Sequence, residues 1–351
     1  MPQLEQLSAE LDRLAAFEPG PFPVVSLYLN LRPDSRGRDS FAPFLRKELG
    51  DRIRTFAAGG PEEESLRSDA RRIEEYLAGV DPASNGLALF ACGGAGLFDA
   101  FQLAAPIDEH RLFVAERAHL YPLARLLGAY RRYLVLLADT HSARLFVFAA
   151  NTVEQARDIE NPKTKRHKVG GTSQARYQRH VDNDRLHHIK EIAEAIAGTV
   201  RREGIEHVIL AGDGLVAARV RDQLSREIAE RIADTVRLHV RASEREIVDR
   251  TIAALHGRDA ETDHERVDAV LCAYRANGLA VIGAEATRRA LDNGQVDELL
   301  IAVSGGVSED EADDLIARAR NTSARVRFVG DASLLEPAGG VGASLRYRAD
   351  A

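Results

Sequence analysis

The chain reads as an α/β protein whose first part is α+β. Short apolar, β-rich runs alternate with helical patterns along its length, and Gly or Asn-Gly turns punctuate the joins. Of its 351 residues 45% are hydrophobic, ample for more than one ordinary core, which argues against disorder. No apolar run approaches the roughly 18 residues of a membrane-crossing helix, and MPQLEQLSAELDRL is not a basic stretch followed by an apolar one, so the expectation is a cytoplasmic chain with no membrane partner.

The elements follow in order. An amphipathic helix over 3–16 precedes a strand over 24–31, VVSLYLNL, and helical patterns over 40–57 and 62–79 come next. GLALFA at 86–91, a Gly-Gly-Ala-Gly turn and 97–103 form a hairpin, and 111–114 continues the strand series. This first α+β domain is expected over 1–125. A middle layered α/β domain, 126–262, opens with strands over 132–138 and 143–148 joined by an Asp-Thr-His-Ser turn, and the basic GGTSQ loop comes next. Asp182 or Asn183 is placed to cap a long helix running to about Glu203, where Gly204 stops it. A buried strand over 207–210, a helix from 215 to about 232 and a short strand around 236–240 follow. Residues 261–266, ETDHER, are polar enough for a helix surface or a linker. The third domain, 263–351, predicts an α/β/α sandwich: strand 279–282, helix 284–292, strand 298–303, helix 308–320, strand 325–329.

One segment stands apart electrostatically. From Asn161 to Val181 the chain carries Lys163, Lys165, Arg166, Lys168, Arg176 and Arg179, together with His167 and His180, and no acid, although its formal net charge is −7. A local sign reversal of that size points to a polyanion, most simply a phosphate backbone. Within this run lie Gly170, Gly171 and the uncharged Gln174. Glycines let backbone approach an RNA-walled pocket closely, and an amide can orient a water against an ester carbonyl without a titrating base. A basic surface loop with no further role has the same composition.

Other constellations are weaker. His180, Asp182, Asp184, His187 and His188 are suitable ligand types, but His187 and His188 project about 100° apart on a helix, so no metal is expected; the reading is capping carboxylates and solvent-facing imidazoles. Gly212-Asp213-Gly214 occupies the ligand-binding position of an α/β sheet without dinucleotide or phosphate-loop spacing, and reads as a turn. Ser26, Ser142 and Ser304 lack a nucleophile-elbow signature. Cys92 and Cys272 have no partners at metal-ligand spacing and read as buried apolar residues. No cofactor is expected.

The order of parts, with strand hairpin, basic GGTSQ loop, long helix, α/β unit and the stretch GLAVIGAEATRRALDNGQVDELLI at 278–301, resembles the archaeal–eukaryotic class 1 release factor superfamily. More narrowly it resembles the bacterial and archaeal release-factor-like proteins related to Vms-type peptidyl-tRNA hydrolases. The resemblance implies a three-domain release-factor-like architecture whose C-terminal domain is similar to kink-turn-binding ribosomal proteins. The superfamily carries Gly-Gly-Gln at the tip of its middle domain, the Vms-like group G-x-x-Q; Gly171-Thr172-Ser173-Gln174 matches the second form. By that match Gln174 positions the water, Gly170 and Gly171 shape the loop, and the basic residues contact RNA. The departure from Gly-Gly-Gln and the lack of an Asn-Ile-Lys-Ser motif in the first domain count against stop-codon release.

The implied function is ribosome rescue: codon-independent hydrolysis of peptidyl-tRNA, with rRNA, the ribosomal A site and peptidyl-tRNA as partners and any delivery factor unidentified. A non-catalytic hibernation or A-site-binding stress factor is the alternative, and a structured-RNA binder acting through the C-terminal domain a third.

Overall fold

A computed structural model describes residues 4–32, 41–82, 84–103, 107–129, 132–140, 142–149, 152–160 and 174–348. It is α/β, with three sheets, and divides into two compact units, Met1–Ala129 with Asp263–Ala351 and, separately, Tyr130–Thr262.

Unit one contains two sheets. The first, β1 (Val24–Asn30), β2 (Gly86–Cys92), β3 (Leu97–Leu103) and β4 (Arg111–Ala115), is antiparallel throughout in the order β3-β2-β1-β4. Its central strands are apolar on both faces because both are covered. Val25, Leu27 and Leu29 pack with Leu45 and Leu49 of α2 (Phe41–Ile53) and Leu66 and Ile73 of α3 (Pro61–Leu77). Tyr28 and Phe90, on the other face, join Leu7, Leu11 and Leu14 of α1 (Leu4–Ala15) and Leu123 of α4 (Tyr121–Ala129). At the β2–β3 turn, Asp69 accepts the Gly93 N–H at 2.9 Å, and the missing side chain of Gly94 makes room for the Phe22 ring.

The second sheet contains β10 (Ala280–Ile282), β11 (Val296–Ala302), β12 (Arg325–Val329) and β13 (Val341–Leu345) in the order β10-β13-β11-β12. Only β11 and β12 are parallel; β13 runs antiparallel between β10 and β11. The expected βαβαβ pattern therefore lacks one strand. VGASL at 341–345 is too small and weakly apolar to signal a strand, yet those small residues let it sit centrally, Gly342 lying where a Cβ would come within 3.3 Å of Val270. The intervening helices are α9 (Ala284–Asp292) and α10 (Glu309–Asn321), the latter capped by the Ser308 hydroxyl, which accepts from the Glu311 N–H. Leu299, Leu315 and Ile316 belong to the same apolar cluster as Tyr28 and Leu11, so the N- and C-terminal segments share one core.

Unit two is a three-layer α/β/α arrangement around β5 (Tyr133–Ala138), β6 (Ser142–Ala149), β7 (Thr152–Glu160), β8 (His207–Gly212) and β9 (Ile232–Val236), in the order β7-β6-β5-β8-β9. β5, β8 and β9 are parallel, and β6 is antiparallel to β5 and β7. One face packs on α5 (Gln174–Glu203), α6 (Gly214–Gln223) and α7 (Arg226–Ala229); the other packs on Ile247 and Leu255 of α8 (Glu244–Arg275).

Several expectations shift. The long helix begins at Gln174, ahead of Asp182 and Asn183, and β7 occupies 152–160, where the polar sequence TVEQARDIE gives no alternation to read. An edge strand tolerates that composition because one side faces solvent. The helix expected over 215–232 is α6 and α7, and the strand expected at 236–240 is β9, four residues earlier. Residues 261–266 lie inside α8. Cys92 is buried as expected; Cys272 is exposed.

Candidate functional site

Lys163, Lys165, Arg166, Lys168, Gly170 and Gly171 fall outside the described residues, as do the neighbours linking them. The segments on either side are described. The basic run leaves the C-terminal end of edge strand β7 at Glu160 and re-enters at Gln174, the first residue of α5. Arg176 and Arg179 lie two and five positions into that helix, whose first turn contains no acid. A helix start free of carboxylates keeps the positive end of the macrodipole available to anions, which suits a phosphate-facing loop.

Further along α5 the two adjacent histidines part. His187 is exposed, with Nε2 3.5 Å from Glu191 Oε1. His188, expected to face solvent, is 3% exposed, and neither ring nitrogen has a hydrogen-bond partner. Burial pushes its pKa below the ordinary imidazole value, against the weaker upward pull of Glu191 and Asp139. The signal was present in the sequence: His188, Ile192, Ile196 and Val200 repeat at four-residue spacing, and the three aliphatic members form the face α5 turns to the sheet.

His188 lines a cavity of about 130 Å³ with Asp139, Thr140, Asp213, Leu215 and Arg219. The cavity lies beyond the C-terminal ends of β5 and β8, which are pinned together by the Asp213 N–H donating to the Ala138 C=O at 2.9 Å. Gly212 makes this approach possible. Its φ is +111°, and a Cβ there would come within 2.1 Å of the Ala138 oxygen. Asp213, read from the sequence as part of a turn, is the cap of α6, accepting from the Leu215 N–H at 2.8 Å and the Val216 N–H at 3.3 Å. Asp139 accepts from the Ser142 N–H at 2.8 Å, closing the β5–β6 turn. Fourteen residues of helix, about 21 Å at 1.5 Å per residue, separate His188 from Gln174, so the cavity and the loop are distinct places. Among the described residues, no three His, Cys, Asp or Glu side chains are grouped to hold a metal ion.

Residues 119–256, which include both places, match the model of bacterial archaeo-eukaryotic release factor family 10. Over those residues the chain is release-factor-like. Along 93% of its length this release-factor-like chain is similar to peptide chain release factor subunit 1 of Aeropyrum pernix, at 22% identity and covering 90% of that protein. It is 25% identical over 295 residues to the same-named protein of Methanobrevibacter smithii, spanning 80% of this chain and 70% of the relative. Among solved structures, archaeal Pelota in a ribosome-bound model is 18% identical, covering 76% of this chain and 78% of that one at a TM-score of 0.48. No described helix of the release-factor-like chain is long and apolar enough to cross a membrane.

Proposed function

We propose that this release-factor-like chain acts at the ribosome as a codon-independent peptidyl-tRNA hydrolase in ribosome rescue, with the loop before α5 as its working end. The observation that carries the reading is the placement of Gly171-Thr172-Ser173-Gln174 among six fixed positive charges in a chain of net charge −7, inside the segment that matches the release factor family model. Lys163, Lys165, Arg166 and Lys168, with Arg176 and Arg179 at the start of α5, hold the loop against rRNA and the tRNA acceptor end in the A site by phosphate contacts. Gly170 and Gly171 let the backbone approach closely. Gln174 orients a water toward the ester carbonyl; hydrolysis yields the free peptide acid and a tRNA with its ribose hydroxyl restored.

A second reading, a non-catalytic A-site or hibernation factor, uses the same six positive charges as an anchor without hydrolysis. Both readings need the basic anchors. Reversing Lys165, Arg166 and Lys168 to Glu is expected to weaken co-sedimentation with ribosomes and to lower its log–log salt slope by about two to three, whereas Gln174→Ala leaves binding intact. Binding that ignores both salt and charge reversal removes the anchoring role.

A further inference from the structure

In unit one, the stretch joining α1 to β1, the turn after α2 and the end of β4 bound a groove of about 750 Å³. That is within the roughly 300–1,000 Å³ of ordinary ligand-binding sites. Its walls are largely apolar, with Pro19, Pro21, Phe22, Phe56 and Val114 among them, and both phenylalanines are only partly buried. Its charged groups are Glu18, Glu62 and Glu116 against Arg117, three carboxylates to one guanidinium. None of these four side chains makes an ion pair or hydrogen bond among the described residues. Glu63, next to Glu62, shows the difference: its carboxylate accepts from the Gly59 N–H at 2.7 Å and pairs with Arg67 at 2.6 Å. Free carboxylates brought to apolar walls from three separate elements repel phosphate and attract a basic occupant, which disfavours a nucleic-acid backbone. Strand β4 adds a direction. It is the edge of its sheet, paired only with β1, and its last two residues, Val114 and Ala115, line the groove. A free strand edge takes an extended chain through main-chain hydrogen bonds, and the space beside it receives that chain's side chains.

We infer that this groove docks an extended basic segment of a partner protein, one in which arginines or lysines are interspersed with apolar side chains. The basic side chains meet Glu18, Glu62 and Glu116, and the apolar ones lie against Phe22 and Phe56. The inference goes beyond the role of the Gln174 loop and stands on unit one alone.

The test uses the full chain and, as probe, an acetylated and amidated octapeptide of alternating arginine and valine. Affinity is read by titration calorimetry at physiological salt, and the place of binding by amide hydrogen exchange. Saturable binding that slows exchange at 55–57 and 114–117 is expected; the glutamate–valine counterpart and spermine, which matches the arginine charge without a peptide backbone, should leave those amides unprotected. Glu18→Gln, Glu62→Gln and Glu116→Gln together keep the side-chain shape, so that the fold is retained, and are expected to weaken binding by about tenfold. The same change at Glu64, Glu74 and Glu75, exposed acids of α3 away from the groove, alters the net charge equally and should change affinity by less than about twofold. The inference is overturned if the groove variant binds no more weakly than this control, if spermine or the glutamate peptide protects the same amides equally, or if single-stranded oligouridylate protects them and the arginine peptide does not.

Discussion

Two buried histidines, one in each unit, sit in opposite chemical surroundings. His119 of unit one is held by its ring face, by Nδ1 and by its backbone. Its ring stacks on Phe113 at 3.7 Å, Nδ1 is 3.2 Å from Asp313 Oδ2, and Nε2, without a hydrogen bond, faces Glu309 Oε2 at 3.8 Å. Its backbone N–H donates to Ser26 Oγ at 2.9 Å, and its C=O accepts from the Tyr28 hydroxyl at 2.6 Å. Asp313 also accepts from the Leu120 and Tyr121 N–H groups at 2.5 and 2.7 Å, capping the start of α4, while both Glu309 oxygens accept from Arg111 Nη1, at 2.6 and 2.8 Å. His188 of unit two has no such partners and opens on a cavity. The contrast separates a histidine that joins segments through carboxylate and backbone partners from one whose two ring nitrogens have no hydrogen-bond partner.

The comparison can be broken most forcefully where each arrangement depends on one residue. Gly212→Val puts a side chain into the Ala138 carbonyl at a left-handed φ, and is expected to destabilise unit two by about 3–5 kcal/mol in urea unfolding and to abolish the His188 cavity. Asp313→Ala leaves two buried backbone N–H groups without their acceptor and is expected to cost about 2–3 kcal/mol, read on unit one.

The same substitution at the two histidines should act with opposite sign. His119→Leu leaves Asp313 without its ring partner and destabilises by about 1–2 kcal/mol, whereas His188→Leu replaces an unsatisfied polar group and stabilises the ligand-free chain by about 1–2 kcal/mol. Equal signs would erase the distinction. His188 also carries a pH signature. Because burial lowers its folded-state pKa, the unfolded chain takes up the proton first on acidification; the stability it contributes is full above about pH 6.5, falls as pH drops through that value toward the lower folded-state pKa, and levels off below it. The Leu variant lacks this slope. At the small end, Glu230→Ala removes a 2.8 Å ion pair with Arg226 on open surface and should change stability by less than about 0.5 kcal/mol.

How far these regions could be read in advance differs for a physical reason. Strands such as 86–91 and 133–138 announce themselves because both faces are buried and every residue is apolar. β7 and β13 do not, since one is a polar edge and the other a central strand of small residues whose partners supply the bulk. The charge run before α5 is legible as composition alone. The His188 cavity is not, because Asp139, His188 and Asp213 are distant in sequence and meet only through the parallel pairing of β5 with β8. His119 shows the same limit: its carboxylate partners come from α10, nearly 200 positions later.

The most direct measurement of the central claim is cleavage of peptidyl-tRNA on purified ribosomal complexes lacking a stop codon. The wild-type chain should release peptide, and Gln174→Ala should slow release by about 100-fold while still co-sedimenting with the complexes. No release by the wild type, or equal release by the variant, would contradict a water-orienting role for Gln174.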